Sequence, residues 1–506
     1  MVFNSFGFFI FFAFVAIVYF ILPFRYRRLL LLAAGYYFYM CFKPESVLIL
    51  AASTLIDYSL ARAIDRASSN QKKQKKKNLL ILGLVHNLGM LAAFKYLNFF
   101  NESVTALLKP FNIFYNSKTI ALLVPVGISY YTFKKISYLI DVYRENVKPE
   151  KHIGTFALYV SFFPEIVSGP IDRAGKLIPQ FNQQSGFDYD RVTAGLKRMA
   201  WGFFKKLIIA DRLGVFVDKV YNHPTQFEGL SLIAATVYFS FQVYCDFSGY
   251  TDIALGAGKV LGFELMENFD RPYFSTSIPT FWKRWHMSLS SWLMDYLFLP
   301  IAYAVSRKIK RPVVWAIRAE TWAYVTGILT TMILCGLWHG ASWTFVLWGA
   351  IHGLYLALSF ATKKTRRNIN KTLGIQKHSL PASVFRTLAT FGMVTFAWIF
   401  FRANSFSDAG YIVTHLLTGW SNVFDFFHLH GVVQALDFGL LKKELAVALV
   451  AIAVVMRVEG WHKDQPFDRW LSSRKTIVRW SFYLFLLVFL LTFGDSGAGN
   501  FIYFRF

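Results

Sequence analysis

The chain has 506 residues, with 54 Lys and Arg against 29 Asp and Glu, a formal charge of +25, and 55% hydrophobic, 19% aromatic and only 16% charged residues. A soluble protein of this size carries about 25% charged residues, and the apolar residues here, 54 Phe among them, come in long blocks; this excludes a disordered chain and argues against a soluble enzyme. The positive charge lies in short stretches between apolar blocks, as in cytoplasmic loops rather than on a nucleic-acid surface, and Cys41, Cys245 and Cys335 stand far apart in apolar surroundings, suggesting neither a disulfide framework nor a zinc site.

A hydrocarbon core of about 30 Å takes roughly 20 apolar residues per helix, and residues 6–24 meet this. No basic region precedes them and no small-residue cleavage site follows, so they read as a span and not as a cleaved signal peptide. Further spans are expected at 29–42, 47–63, 79–100, 120–142, 153–167, 230–247, 325–337, 343–360, 384–401, 445–456 and 477–493, about ten to thirteen crossings, some of them incomplete. Basic stretches set the orientation: Arg25, Arg27 and Arg28 after the first span, then Lys72 to Lys77, then Lys363 to Lys371, then Arg457 to Lys475, all expected inside, which puts the N-terminus and residues 495–506 outside. The stretch 168–320 mixes charges, prolines and short apolar pieces and reads as amphipathic and re-entrant helices. Irregular backbone at that depth has to be buried in protein or line a water-filled cavity, so the chemistry is sought there.

Polar groups at membrane depth are expensive and tend to be functional. In chain order, the first such group is 162–171, where Pro164 and Pro170 break a helix and predict a turn or re-entrant tip. Next come Asp246, Ser248 and Asp252; the two acids are placed to orient a histidine or bind a hydroxyl, and Asp252 is also placed to cap a following helix. The polar link 267–275 holds an Asp270–Arg271 pair that reads as structural. On a continuous helix Trp282, His286 and Ser290 share one face at i, i+4 spacing, and with Lys283 and Arg284 the segment reads as an interfacial helix with an aromatic belt and basic anchors. His339 sits between Trp338 and Gly340, after an apolar run. An imidazole there is either a general base near neutrality or a ring satisfied by a neighbouring carbonyl. His352, thirteen residues on, reads as packing or as a partner of the site. His415, His428 and His430 lack the carboxylates and i, i+4 spacing of a metal site, and no metal is expected. The end of the chain, Asn500 to Phe506, alternates aromatic residues and fits an interfacial anchor.

Taken together, PVGISYYTF (125–133), YLIDVYR (138–144), SGPI (168–171), DFSGYTDIA (246–254), NFDRPYFSTSIPTFWKRWHMSLSSWL (268–293) and GLWHGASWTFVLWGAIHG (336–353) resemble the membrane-bound O-acyltransferases, in the family's order and over most of the chain. The likeness is greatest to the bacterial branch that O-acetylates alginate, peptidoglycan and other polysaccharides. It implies an all-α polytopic membrane protein, one domain over 1–506, with N-terminal spans to 150, a motif-bearing core at 151–360 and C-terminal spans beyond. Tilted, re-entrant and interfacial helices would surround a central tunnel. It implies that His339 is the catalytic histidine and His286 a second functional one, with Trp338, Trp282, Asp246, Ser248 and Asn268 as donor- or substrate-binding residues. Met294 stands where the family pattern has arginine before Asp295-Tyr296. In such relatives a terminal aromatic motif with a tyrosine looks like an acyl acceptor, which makes Tyr503 a relay candidate beside the anchor reading; Arg505 replaces the usual Gln.

The expected function is acetyl transfer from a cytoplasmic thioester, acetyl-CoA, towards an extracytoplasmic polysaccharide, with no bound cofactor, in the cell inner membrane. No loop is long enough for an outer catalytic domain, so a periplasmic or membrane-anchored SGNH-type acetyltransferase is the expected partner. The alternatives are an acyltransferase acting on a lipid or protein and a polysaccharide-precursor transporter. A transporter would show repeated halves, and the sequence has none.

Overall fold

The computed structural model describes residues 1–111, 124–309, 311–314, 317–372, 379–419, 442–461 and 471–493. Among them the regular structure is helical, apart from a hairpin of two-residue strands, β1 (Val313–Val314) and β2 (Ile317–Arg318), paired antiparallel with Val313 opposite Arg318. The helices run α1 (Phe6–Ile21), α2 (Phe24–Met40), α3 (Ser46–Ser69), α4 (Lys73–Leu91), α5 (Leu97–Leu108), α6 (Ile128–Tyr143), α7 (Ile153–Ser161), α8 (Ala174–Phe181), α9 (Tyr189–Phe203), α10 (Asp211–Tyr221) and α11 (Leu230–Leu261). They continue as α12 (Ile278–Trp282), α13 (Met287–Leu293), α14 (Leu299–Lys308), α15 (Ala319–His339), α16 (Trp343–Ala361), α17 (Lys363–Thr372), α18 (Leu380–Arg402), α19 (Phe406–His415), α20 (Lys442–Trp461) and α21 (Thr476–Phe493). The chain is thus the all-α polytopic membrane protein expected.

Among the described residues, six helical stretches are long and apolar enough to cross a membrane: α3, the run Lys73–Phe111, α11, α15, α16 and α18. The outward residues fit lipid. Phe6, Phe14, Ile17 and Ile21 of α1 and Leu48 of α3 are more than half exposed, a surface that water would disfavour at about 25 cal/mol per Å².

The described residues form two compact units, one of residues 1–199 and 250–266, the other of 200–249 and 267–506. In the first, α6 is a core helix with fourteen of its sixteen residues buried, including the adjacent Lys134 and Lys135. Buried cations need partners, and both have them. Lys135 lies 3.0 Å from Asp57 of α3, whose other oxygen accepts from Asn87 of α4 at 2.8 Å. Lys134 donates to the Tyr159 carbonyl at 2.7 Å and to Glu165 at 2.5 Å. Glu165 belongs to the turn that the prolines predict. This corrects the expected span at 153–167: α7 stops at Ser161, and the chain turns through 162–170 instead of crossing. Gly127 (φ 73°) opens α6 where a Cβ would run into the Ile166 carbonyl oxygen of that turn.

A second correction concerns Asp252. It does not cap a helix, because α11 runs unbroken for 32 residues through Asp246 and Asp252. Asp252 instead meets Arg198 of α9 at 3.0 Å, within the first unit.

In the second unit α15 and α16 pack closely through glycines. A Cβ on Gly336 would strike the Phe345 carbonyl oxygen, and one on Gly349 that of Met332, the small-residue contact that lets membrane helices approach. Turns of π-helix at Phe204–Ala210 and Met294–Phe298 interrupt the regular ladder.

Candidate active site

His339 is the last residue of α15, after which Gly340 leaves the helix and Ser342 caps α16, its hydroxyl accepting from the Thr344 N–H at 3.3 Å. This short link brings the end of α15 against α16 and α18. The His339 ring is 4% exposed and lies among three aromatic rings, with centroids at 4.8 Å to Trp338, 5.1 Å to Trp348 and 5.2 Å to Phe401. Trp348 stacks on Trp398 of α18 at 5.6 Å, and Phe401 is one helical turn further along α18. Each such pair is worth about 0.5–1.5 kcal/mol beyond its area, so the wall around the imidazole is stiff.

His286 also neighbours Trp338, with centroids 6.2 Å apart, and meets Phe247 of α11 edge-on at 4.6 Å. It is fully buried, and neither ring nitrogen has a hydrogen-bond partner among the described residues. On this connection, outside the six spanning stretches, burial pushes the imidazole below its ordinary pKa, so the ring is neutral. The geometry expected for this segment is corrected in two respects. Trp282, His286 and Ser290 do not share a helix face, because α12 ends at Trp282 and the backbone turns left-handed at His286 (φ 44°, ψ 54°) before α13 begins. Nor is the segment an aromatic belt, because Phe281, Trp282, Trp285 and Trp292 are all buried.

The remaining candidates fall around this pair. Trp282 donates its indole N–H to Nδ1 of the fully buried His352 at 3.3 Å, and His352 meets Trp348 at 5.0 Å; Trp282 thus reaches His339 through two rings. Asp246 is held by Lys206 at 2.6 Å, and Lys206 also binds Asp211 at 2.7 Å. Ser248, next but one along α11, has a buried hydroxyl without a partner among the described residues. The Asn268 side-chain oxygen accepts from the backbone and hydroxyl of Ser288. Asp270 and Arg271 form the expected pair at 2.8 Å. Tyr503, His428 and His430 lie outside the described residues; His415 bonds the Tyr411 carbonyl at 2.9 Å. Sequence reasoning passed over Trp348, Phe401 and Lys206. The i, i+4 spacing of Trp348 and His352 on α16 was the one local sign of the first; Phe401 and Lys206 come from distant segments.

A polytopic helical membrane protein with imidazoles buried among aromatic rings is the class that these features define. The model of the membrane-bound O-acyltransferase family matches residues 151–392, which include every one of these histidines except His415, His428 and His430 among those discussed. The chain is 37% identical over 392 residues to a probable alginate O-acetylase AlgI of Azotobacter vinelandii, covering 78% of this chain and 73% of that protein. It is 36% identical over 455 residues to that of Pseudomonas fluorescens, covering 90% and 82%, and 31% identical over 410 residues to a peptidoglycan O-acetyltransferase of Helicobacter pylori, covering 76% and 72%. The chain belongs to the membrane-bound O-acyltransferase family and is a membrane-bound O-acyltransferase.

Proposed function

We propose that the protein moves an acetyl group from acetyl-CoA on the cytoplasmic side towards a polysaccharide outside the cell inner membrane. The single observation that carries this reading is the pair His339 and His286, both buried and both neighbouring Trp338 inside the family segment. The reaction needs an accepting hydroxyl to lose its proton as its oxygen attacks the thioester carbonyl; the C–S bond then breaks and the thiolate takes the proton. His339 acts as base to the hydroxyl and then as acid to the sulfur. The rings of Trp338, Trp348 and Phe401, set nearly perpendicular to the imidazole, hold it in place through the two steps. His286, neutral and with neither ring nitrogen partnered among the described residues, binds the acyl carbonyl or the accepting hydroxyl, and the Ser248 hydroxyl and Asp246 help to bind the reactants. Trp282 acts through His352.

A central tunnel joining the two membrane faces would bring these reactants together. Tyr503 is the relay: its phenol accepts the acetyl group and a periplasmic or membrane-anchored SGNH-type transferase takes it on to the polymer. The names of the alginate and peptidoglycan relatives support a polysaccharide acceptor. The test supplies purified protein in nanodiscs with acetyl-CoA or palmitoyl-CoA, follows free thiol, and searches the protein for acylated Tyr503 by peptide mass spectrometry. Thiol release from acetyl-CoA alone, with acetyl on Tyr503, is expected. Preference for palmitoyl-CoA would move the reading to a lipid or protein acyltransferase, and acetyl absent from Tyr503 during turnover would remove the relay.

A further inference from the structure

His286 is one of four non-glycine residues among the described ones with positive φ. That backbone region is unfavourable for a residue with a Cβ and persists only where its surroundings over-determine it. Here the surroundings can be named. Before His286, α12 closes with the Arg284 and Trp285 N–H groups both donating to the Phe281 carbonyl, at 2.9 and 2.8 Å. After it, α13 opens with the Ser290 N–H donating to the His286 carbonyl at 2.8 Å. The segment 268–270 runs alongside: the Asp270 N–H donates to the Arg284 carbonyl at 3.0 Å, and the Met287 N–H to the Asn268 carbonyl at 2.9 Å. His286 lies between these two clamps.

The first turn of a helix leaves N–H groups unsatisfied, and the residue at the N-cap ordinarily accepts one of them with its own side chain. The N-cap of α13 is His286, and its side chain makes no such bond. Asn268 makes it instead. Its Oδ1 accepts from the Ser288 N–H at 3.2 Å and from the Ser288 hydroxyl at 2.5 Å, and Asn268 and Ser288 are both fully buried. The cap has been moved from position 286 to a segment eighteen residues earlier in the chain, and the imidazole at 286 is thereby released from capping.

We infer that Asn268 is a positioning residue for the transfer reaction: by capping α13 in place of His286, it holds that histidine in its left-handed backbone with the ring between Phe247 and Trp338. Asn268 acts through His286 and need not touch a reactant. The inference rests on the proposed role of His286.

The experiment measures thiol release from acetyl-CoA by the full chain in nanodiscs for Asn268→Ala, Ser288→Ala, His286→Ala and Asn268→Ala combined with His286→Ala. It also follows carbethoxylation of His286 relative to His339 by diethyl pyrocarbonate, read by peptide mass spectrometry. Asn268→Ala is expected to lower kcat about tenfold with KM within about twofold, because the lost group acts on the chemical step. It should change the relative carbethoxylation of His286 by about threefold or more, and Ser288→Ala should shift both readouts the same way by about twofold. In the His286→Ala background the Asn268 change should add less than about twofold. Unchanged kcat and carbethoxylation in Asn268→Ala, or in Ser288→Ala should the first variant not fold, would overturn the inference, as would an equal loss in both backgrounds. Wild-type kcat in His286→Ala would instead sink the proposed role of His286, and the carbethoxylation of His286 in Asn268→Ala would still decide the positioning.

Discussion

His339 and His352 both lie on membrane-spanning helices, against the shared ring of Trp348, yet their surroundings differ in what they permit. His352 has one nitrogen committed: the Trp282 indole donates to its Nδ1, which places the ring proton on Nε2. A residue fixed in one tautomer is suited to hold the wall of the site, while the residue it supports works next to it. Replacing Trp282 by Phe keeps an aromatic ring but removes the N–H, leaving Nδ1 unsatisfied in the core. That should cost about 1–3 kcal/mol and lower the unfolding temperature in detergent; an unchanged unfolding temperature would show that the indole bond holds nothing. In the sequence, His339 stood out as a polar residue after an apolar run, whereas the His286 segment read as an interfacial anchor, and only the family resemblance implied a role for His286. The left-handed turn at His286 did not show, because no glycine or proline marks it. It is imposed by Asn268, whose contribution comes from another segment.

At the scale of elements, α6 carries two adjacent buried lysines whose partners lie on α3 and in the turn after α7. Removing one member of such a pair strands a charge, whereas replacing both with apolar residues does not. Lys134→Met is therefore expected to destabilise by about 3–5 kcal/mol, and the double change with Glu165→Leu to restore most of it; thermal unfolding of the purified variants measures both, and equal losses would show that the pair is not coupled. Most helices were legible from apolar length: α1 to α4, α15, α16, α18, α20 and α21 each fall where an apolar run was expected, with ends displaced by up to nine residues, the most at α4. The failures share a cause. Asp246 and Asp252 suggested a helix boundary, but Lys206 and Arg198 pair with them and the helix runs on. The run 153–167 read as a span from its apolar composition, but it is short and Pro164 lies in the turn that follows α7. In each case a partner or a proline decided against composition.

At the scale of the whole molecule, the basic stretches carry the proposed orientation. Lys72 to Lys75 at the entry to α4 are exposed, and α17, directly after the α16 span, carries five basic residues and no acid on an exposed helix. Their charge favours the cytoplasmic face, where anionic lipids contribute about 1 kcal/mol per basic residue. Single cysteines introduced at Lys75 and at Lys364, in a background lacking Cys41, should both resist a membrane-impermeant maleimide in intact cells and react after permeabilisation. Labelling of either one from outside would break the proposed topology.

The account rests on His339 carrying the proton in acyl transfer. Wild-type protein and His339→Ala, matched for yield and unfolding temperature, are compared in nanodiscs by the rate of thiol release from acetyl-CoA. The account predicts a loss of about a thousandfold or more in the variant, the scale expected when a general base is removed, with donor binding retained. A variant that folds normally and releases thiol at the wild-type rate would contradict it.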